Sequence, residues 1–153
     1  ILKQAVPHII KTAIYASPMR IAKHLIRKDG FPIITPRFTY SKVPKKAMEL
    51  GLTVHVLRLE PGNNFRLDLA ELEATLERGD GMVYIANPNN PTGNALIKRR
   101  ELLPLLQRFP RSKFWIDEAY VQYLDPKEHE YVCDLVPRYD NLVVSRTFSF
   151  AYG

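Results

Sequence analysis

The chain has 153 residues, 46% of them hydrophobic and 25% charged, an ordinary composition that excludes a disordered tail, a collagen-like repeat and a disulfide-stapled scaffold. No apolar run approaches the roughly 20 residues of a membrane-spanning helix, and Lys3 and Lys11 interrupt the start, so neither a membrane protein nor a signal peptide is expected. The net charge of 22 − 16 = +6 is concentrated in residues 1–50, where ten Lys/Arg face only Asp29 and Glu49, but those cations are scattered without an arginine stripe, which argues against nucleic-acid binding.

Proline and glycine punctuate the chain into short segments. Ser17-Pro18 reads as a helix N-cap with proline at the first helical position, followed by Met19, Ala22, Leu25 and Ile26 at helical spacing and Gly30 as terminator. Pro32 to Thr35 is a buried strand, Ser41 to Leu50 a helix ended by Gly51, and Leu52 to Leu59 a Val- and Leu-rich strand. Glu60 to Asn64 is a loop. Asp68 and Glu71 have the spacing of a capping box for a helix that buries Leu69, Leu72 and Leu76. Met82 to Ala86 is a strand, and Arg99 to Phe109 a helix in which Pro104 must occupy the first turn or cause a kink. Lys98-Arg99-Arg100 reads as a solvated helix start. Phe114 to Ile116 and Leu142 to Val144 are the last two strands.

This alternation predicts an α/β fold with a mainly parallel sheet. Ligands of such sheets lie beyond the carboxyl ends of the strands. Three of those ends carry unusual polar runs: Asn87-Pro88-Asn89-Asn90-Pro91-Thr92-Gly93, then Asp117-Glu118-Ala119-Tyr120, then Ser145-Arg146-Thr147-Phe148-Ser149-Phe150-Ala151-Tyr152-Gly153. Singly, each reads as a turn or a cap. Together, in this order, they point to one site. Asn90-Pro91 is also a candidate cis peptide. His8, His24, His55 and His129 have no metal-ligand spacing, and Cys133 is the only cysteine, so no metal site and no internal disulfide are expected.

From Ala16 to Gly153 these motifs resemble the large domain of fold-type-I pyridoxal-phosphate enzymes, within the class I/II aminotransferases. The Asn-Pro-Asn-Asn-Pro-Thr-Gly, Asp-Glu-Ala-Tyr and Arg-Thr-Phe-Ser runs are most similar to histidinol-phosphate aminotransferases. The resemblance implies a three-layer sandwich and pyridoxal 5'-phosphate as cofactor. It implies an amino acid and a 2-oxo acid as substrates and a homodimer, while the lone Cys133 makes a reducing cytoplasm the default setting. It assigns Asp117 to the cofactor's ring nitrogen, Asn90 and Tyr120 to its phenolic oxygen, Phe38 to its face, and Thr147 and Ser149 to its phosphate.

The pattern breaks in three places. Relatives carry the cofactor-attaching lysine directly after the serine, where this chain has Phe150, between the matching Ser149 and the matching Tyr152 and Gly153. Phenylalanine has no amine, so it can neither attach the cofactor nor shuttle a proton. No other lysine lies near, and Lys113 is expected at the opposite end of its strand. Tyr15-Ala16-Ser17-Pro18-Met19 replaces a glycine-rich phosphate-binding turn, and Pro18 has no N–H to offer. The chain also ends at Gly153, before the expected phosphate arginine and small domain. Residues 1–153 are therefore expected to be one partial large domain. Two alternatives are a non-catalytic fragment or descendant that binds ligands or serves a structural role, and a related pyridoxal-phosphate decarboxylase.

Overall fold

The structure, a computed structural model, describes residues 30–125 and 131–147. The expected Ser17–Ile26 helix, the 15–19 turn, Ser149, Phe150, Tyr152 and Gly153 lie outside them. Five strands form one all-parallel sheet: β1 (Ile33–Pro36), β2 (Val54–Leu57), β3 (Met82–Ala86), β4 (Lys113–Asp117) and β5 (Leu142–Ser145). Their spatial order is β2-β1-β3-β4-β5. Helices α1 (Lys42–Glu49), α2 (Leu69–Arg78) and α3 (Arg99–Arg108) connect them.

The order explains the layers. From β1 the chain steps outward to β2, then returns across β1 to β3 and continues to β4 and β5. Parallel crossovers are right-handed, so reversing direction puts the connecting helix on the opposite face. Accordingly Val43 and Ala47 of α1 pack with Ile33, Met82, Tyr84, Ala86 and Trp115 on one face. Leu72 and Leu76 of α2 and Leu102, Leu105 and Leu106 of α3 pack with Ile34, Val83, Ile85, Phe114 and Ile116 on the other. Adjacent strand residues point to opposite faces, which is why these central strands are apolar at almost every position. The α/β fold and three layers expected from the sequence are present.

Several boundaries differ in detail. The Leu52–Leu59 strand shortens to Val54–Leu57, an edge strand whose His55 and Val56 are exposed. Only half of the capping box forms: the Asp68 carboxylate accepts from the N–H groups of Ala70 and Glu71, while Glu71 instead accepts from the N–H of Arg58 at 3.0 Å. Glu71 therefore clamps α2 to the chain leaving β2. Pro104 sits inside α3, beyond its first turn and on its exposed side, where solvent can reach the carbonyl left without an N–H partner. Glu101 caps this helix by accepting from the N–H of Lys98 at 2.7 Å. Arg99 is more than a solvated cation, because it forms a two-pronged ion pair with Asp134 at 2.5 and 2.8 Å. That pair ties α3 to the 3₁₀ segment Cys133–Arg138.

Candidate active site at the carboxyl edge of the sheet

β1 and β3 are neighbours whose outgoing chains turn to opposite faces, which makes the crevice between their carboxyl ends the switch point of the sheet. Phe38 follows β1 and the asparagine loop follows β3. Asn89 joins the two, donating from its side chain to the Phe38 carbonyl at 2.6 Å and to the Thr92 hydroxyl at 2.7 Å. Its backbone closes the loop, with Asn89 N–H on the Asn94 carbonyl and Gly93 N–H on the Asn89 carbonyl. Gly93 adopts φ +77° at that turn, a conformation that glycine reaches without penalty. Asn87 pins the far limb: its amide oxygen accepts from the N–H groups of Leu96 and Ile97, and its NH₂ donates to the Ile97 carbonyl. Asn90-Pro91 is cis as expected, and Asn87-Pro88 is cis as well.

Asn87, Asn89 and Asn94 are thus committed to the loop itself. Asn94 also reaches the carbonyl of Phe65 at 3.2 Å, whose ring meets that of Phe38 edge-on at 6.2 Å. Half-buried Asn90 is different, since its side chain has no hydrogen-bond partner among the described residues. Phe38 keeps 42% of its surface exposed, with the Arg37 guanidinium 5.4 Å from its ring centre.

Asp117 ends β4 in register with Ser145, the last residue of β5, and Lys113 lies at the opposite end of β4. Its carboxylate is 5% exposed. One oxygen accepts from the Ser145 hydroxyl at 2.7 Å and the other from the Tyr84 hydroxyl at 3.1 Å. Ser145 in turn accepts from the Trp115 indole N–H at 2.8 Å. Burial pushes the Asp117 carboxyl above the ordinary carboxylate range, and adjacent Glu118 adds to this, while donors from Ser145, Tyr84 and the Ala119 N–H pull it back. Burial and the same carboxylate push the Tyr84 hydroxyl up. Tyr84 and Ser145 were not singled out from the sequence as site residues. Strand parity could have found them: Ser145 is the register partner of Asp117, and Tyr84 lies two residues before its partner Ala86.

Glu118, the next residue, faces the other way. It is fully buried and pairs with Arg146 at 2.6 Å, while also accepting from the Val132 N–H. Arg146 donates to the half-buried Cys133 sulfur at 3.2 Å and covers the Tyr131 ring. Tyr120 precedes a 3₁₀ turn and its ring lies 6.0 Å from that of Tyr123. Thr147, two residues past β5, is half-buried. Phe38, Asn90, Asp117, Tyr120 and Thr147 therefore all follow or end strands at the same edge of the sheet, and Ser149 lies outside the described residues.

The sequence pattern of the family described as Aminotransferase class I and II matches residues 19–153. The chain belongs to the class I and II aminotransferases. Among individual members, it is 35% identical to the histidinol-phosphate aminotransferase of Bacillus cytotoxicus over 137 residues, covering 87% of this chain and 35% of that protein. Its fold superposes with a TM-score of 0.72 on the histidinol-phosphate aminotransferase of Sinorhizobium meliloti in complex with pyridoxal-5'-phosphate, at 25% identity, covering 87% of this chain and 36% of that one. It also shares the fold of a decarboxylase from Sulfurospirillum multivorans, with a TM-score of 0.70 and 20% identity over 86% of this chain and 38% of that one. This aminotransferase-family chain spans about a third of the length of such relatives. Membership carries the family's cofactor, pyridoxal 5'-phosphate. The donor set fits that group, because Asp117 is a buried acid whose hydrogen-bond partners among the described residues are neutral. Such a carboxylate lacks the cation that would balance its charge. The buried Asn89 Oδ1, Thr35 Oγ1 and Thr39 Oγ1, near the carboxyl ends of β3 and β1, have no hydrogen-bond partner among the described residues.

Proposed function

We propose that residues 1–153 are part of the large domain of a pyridoxal-phosphate aminotransferase of the histidinol-phosphate type, which moves an amino group between an amino acid and a 2-oxo acid. The observation that carries this reading is the buried Asp117 carboxylate, held by neutral donors at the carboxyl edge and available to a cationic ring nitrogen. When bound, the cofactor supplies an electron sink for bond breaking at the substrate's α-carbon. Asp117 holds the proton on the ring nitrogen, since a nearby negative charge favours the protonated form. Asn90, with its uncommitted amide, and Tyr120 donate to the phenolic oxygen. Phe38 covers one face of the ring, a contact of about 1 kcal/mol. Thr147 and Ser149 hold the phosphate.

Phe150 occupies the position of the attaching lysine and offers no amine to hold the cofactor or carry the α-proton. The chain as it stands therefore binds the cofactor without turning over substrate. The assembled protein works as a homodimer in the cytoplasm. Calorimetric titration with pyridoxamine 5'-phosphate, which needs no lysine, tests the reading. Saturable binding that weakens at least about tenfold in Asp117→Asn, a change of about 1.4 kcal/mol, is expected on loss of a charge-assisted contact. Equal binding by Asp117→Asn, or none by either protein, overturns it.

A further inference from the structure

Glu118 directly follows Asp117, and Arg146 directly precedes Thr147. The register of β4 and β5 ends with Asp117 opposite Ser145, and one further backbone bond runs from the Glu118 N–H to the Ser145 carbonyl at 2.8 Å. Arg146 and Thr147 lie past this strand pairing. The Arg146 side chain turns back across it. Its Nε and a terminal nitrogen donate to Glu118 Oε2 at 2.7 and 2.6 Å, it donates to the Cys133 sulfur at 3.2 Å, and its guanidinium lies 4.8 Å from the Tyr131 ring centre. Glu118, 0% exposed, accepts from the Val132 N–H at 3.1 Å through its other oxygen. The far end of this tie is itself fixed. Val132, Leu135 and Val136 are buried in the layer of α2 and α3, and Asp134 is paired with Arg99 of α3. Asp117 turns to the other layer, where Tyr84 and Trp115 are buried.

We propose that Glu118 and Arg146 are positioning residues: beyond its contribution to stability, their ion pair fixes Thr147 relative to Asp117 and so sets the spacing between the two ends of the cofactor site. This rests on the reading given above, in which Asp117 meets the ring nitrogen and Thr147 the phosphate. The pair acts through the backbone, because each of its members is bonded in sequence to one of those two residues. Its effect is separable from simple attraction of a phosphate. Removing the negative charge of Glu118 should strengthen the binding of an anion if charge alone mattered. Removing it should weaken that binding if the pair holds Thr147 in place. Glutamine at position 118 breaks the pair without changing the shape of the side chain. Glutamate offers an acceptor at both ends, whereas an amide has one acceptor and one donor end. One of Arg146 and the Val132 N–H then faces a donor.

The test titrates the full chain calorimetrically with pyridoxamine 5'-phosphate and with pyridoxamine, which lacks the phosphate. The ratio of the two dissociation constants is the advantage conferred by the phosphate, and any change at Asp117 alone cancels from it. Glu118→Gln should cut that ratio about tenfold, the scale of one hydrogen bond to a charged group. Arg146→Lys keeps the charge but loses the planar fork that serves Glu118 and Cys133 together. It should cut the ratio by less, about threefold, and it carries the test should Glu118→Gln not fold. Urea unfolding of each variant reads the loss of stability separately. A Glu118→Gln protein that is less stable but keeps the wild-type ratio has lost only a structural contact, and that result overturns the proposal. A ratio that rises, as charge alone requires, overturns it too. Wild type that binds both compounds equally takes Thr147 off the phosphate and removes the proposal, while the reading of Asp117 stands. Wild type that binds neither compound overturns both.

Discussion

The Asn89 side chain crosses from the end of β3 to the backbone carbonyl of Phe38 beyond β1, 2.6 Å away. One buried amide thus joins the two chain segments that flank the switch-point crevice. Asn89→Ala removes this bond together with the one to Thr92 and leaves a carbonyl without its donor. A loss of about 1–3 kcal/mol is expected, read from urea unfolding. Binding of pyridoxamine 5'-phosphate should weaken as well, because Phe38 and Asn90 lose their common anchor. Unchanged stability and binding would show that the bridge positions nothing.

Asp117 predicts an unusual pH dependence. Its folded-state pKa is raised, chiefly by burial, so between the unfolded value and the folded value the native chain holds the extra proton. Stability contributed at this site therefore falls as pH rises through that window and stays lower above it. Asp117→Asn, whose amide can accept from Ser145 and donate to Tyr84, should melt higher than wild type at neutral pH. That advantage should shrink as pH falls from the raised folded value towards the ordinary aspartate value of about 3.9, and level off below it. Melting curves of both proteins across pH check it, and a difference that grows on acidification would contradict the assignment.

Glu118 and Arg146 make a separate, structural prediction. Breaking a fully buried pair costs roughly 3–5 kcal/mol, but Arg146 keeps 37% of its side-chain surface exposed. Arg146→Ala should therefore cost about 2 kcal/mol, after discounting for that exposure. Glu118→Gln should cost less, since an amide oxygen still accepts from the Val132 N–H. Chemical denaturation of the two single variants and the double variant gives the coupling, and simple additivity would argue against a working pair.

The fold was legible because its signals are local and agree with one another. Met82 to Ala86 is a strand with the expected ends, and Arg99 to Phe109 a helix that stops one residue earlier. Val54–Leu57 came out shorter than its Val-rich sequence because an edge strand has one neighbour to pair with. Glu71 had the right spacing for a capping box, yet a backbone N–H from thirteen residues upstream captured it. Site residues marked by a motif, such as Asn90 and Asp117, were visible in the sequence. Tyr84 and Ser145 were not, because what sets them apart is a register between strands rather than a spacing along the chain. The separate fates of Asp117 and Glu118 were hidden as well, since Glu118 lies just past β4 and its partners, Arg146 and the Val132 N–H, come from segments distant in the chain.

On the reading proposed above, position 150 lies where the family's lysine attaches pyridoxal 5'-phosphate, in a site that is otherwise built to hold it. The direct measurement is to install the amine. Phe150→Lys, mixed with pyridoxal 5'-phosphate, reduced with borohydride and digested, should carry the pyridoxyl mass on the peptide containing position 150. Adding Asp117→Asn to that variant should reduce the labelling. Wild type, with Phe150, should carry no label on that peptide. Label spread over other lysines to the same extent in both proteins, with none at position 150, would contradict the placement of the site.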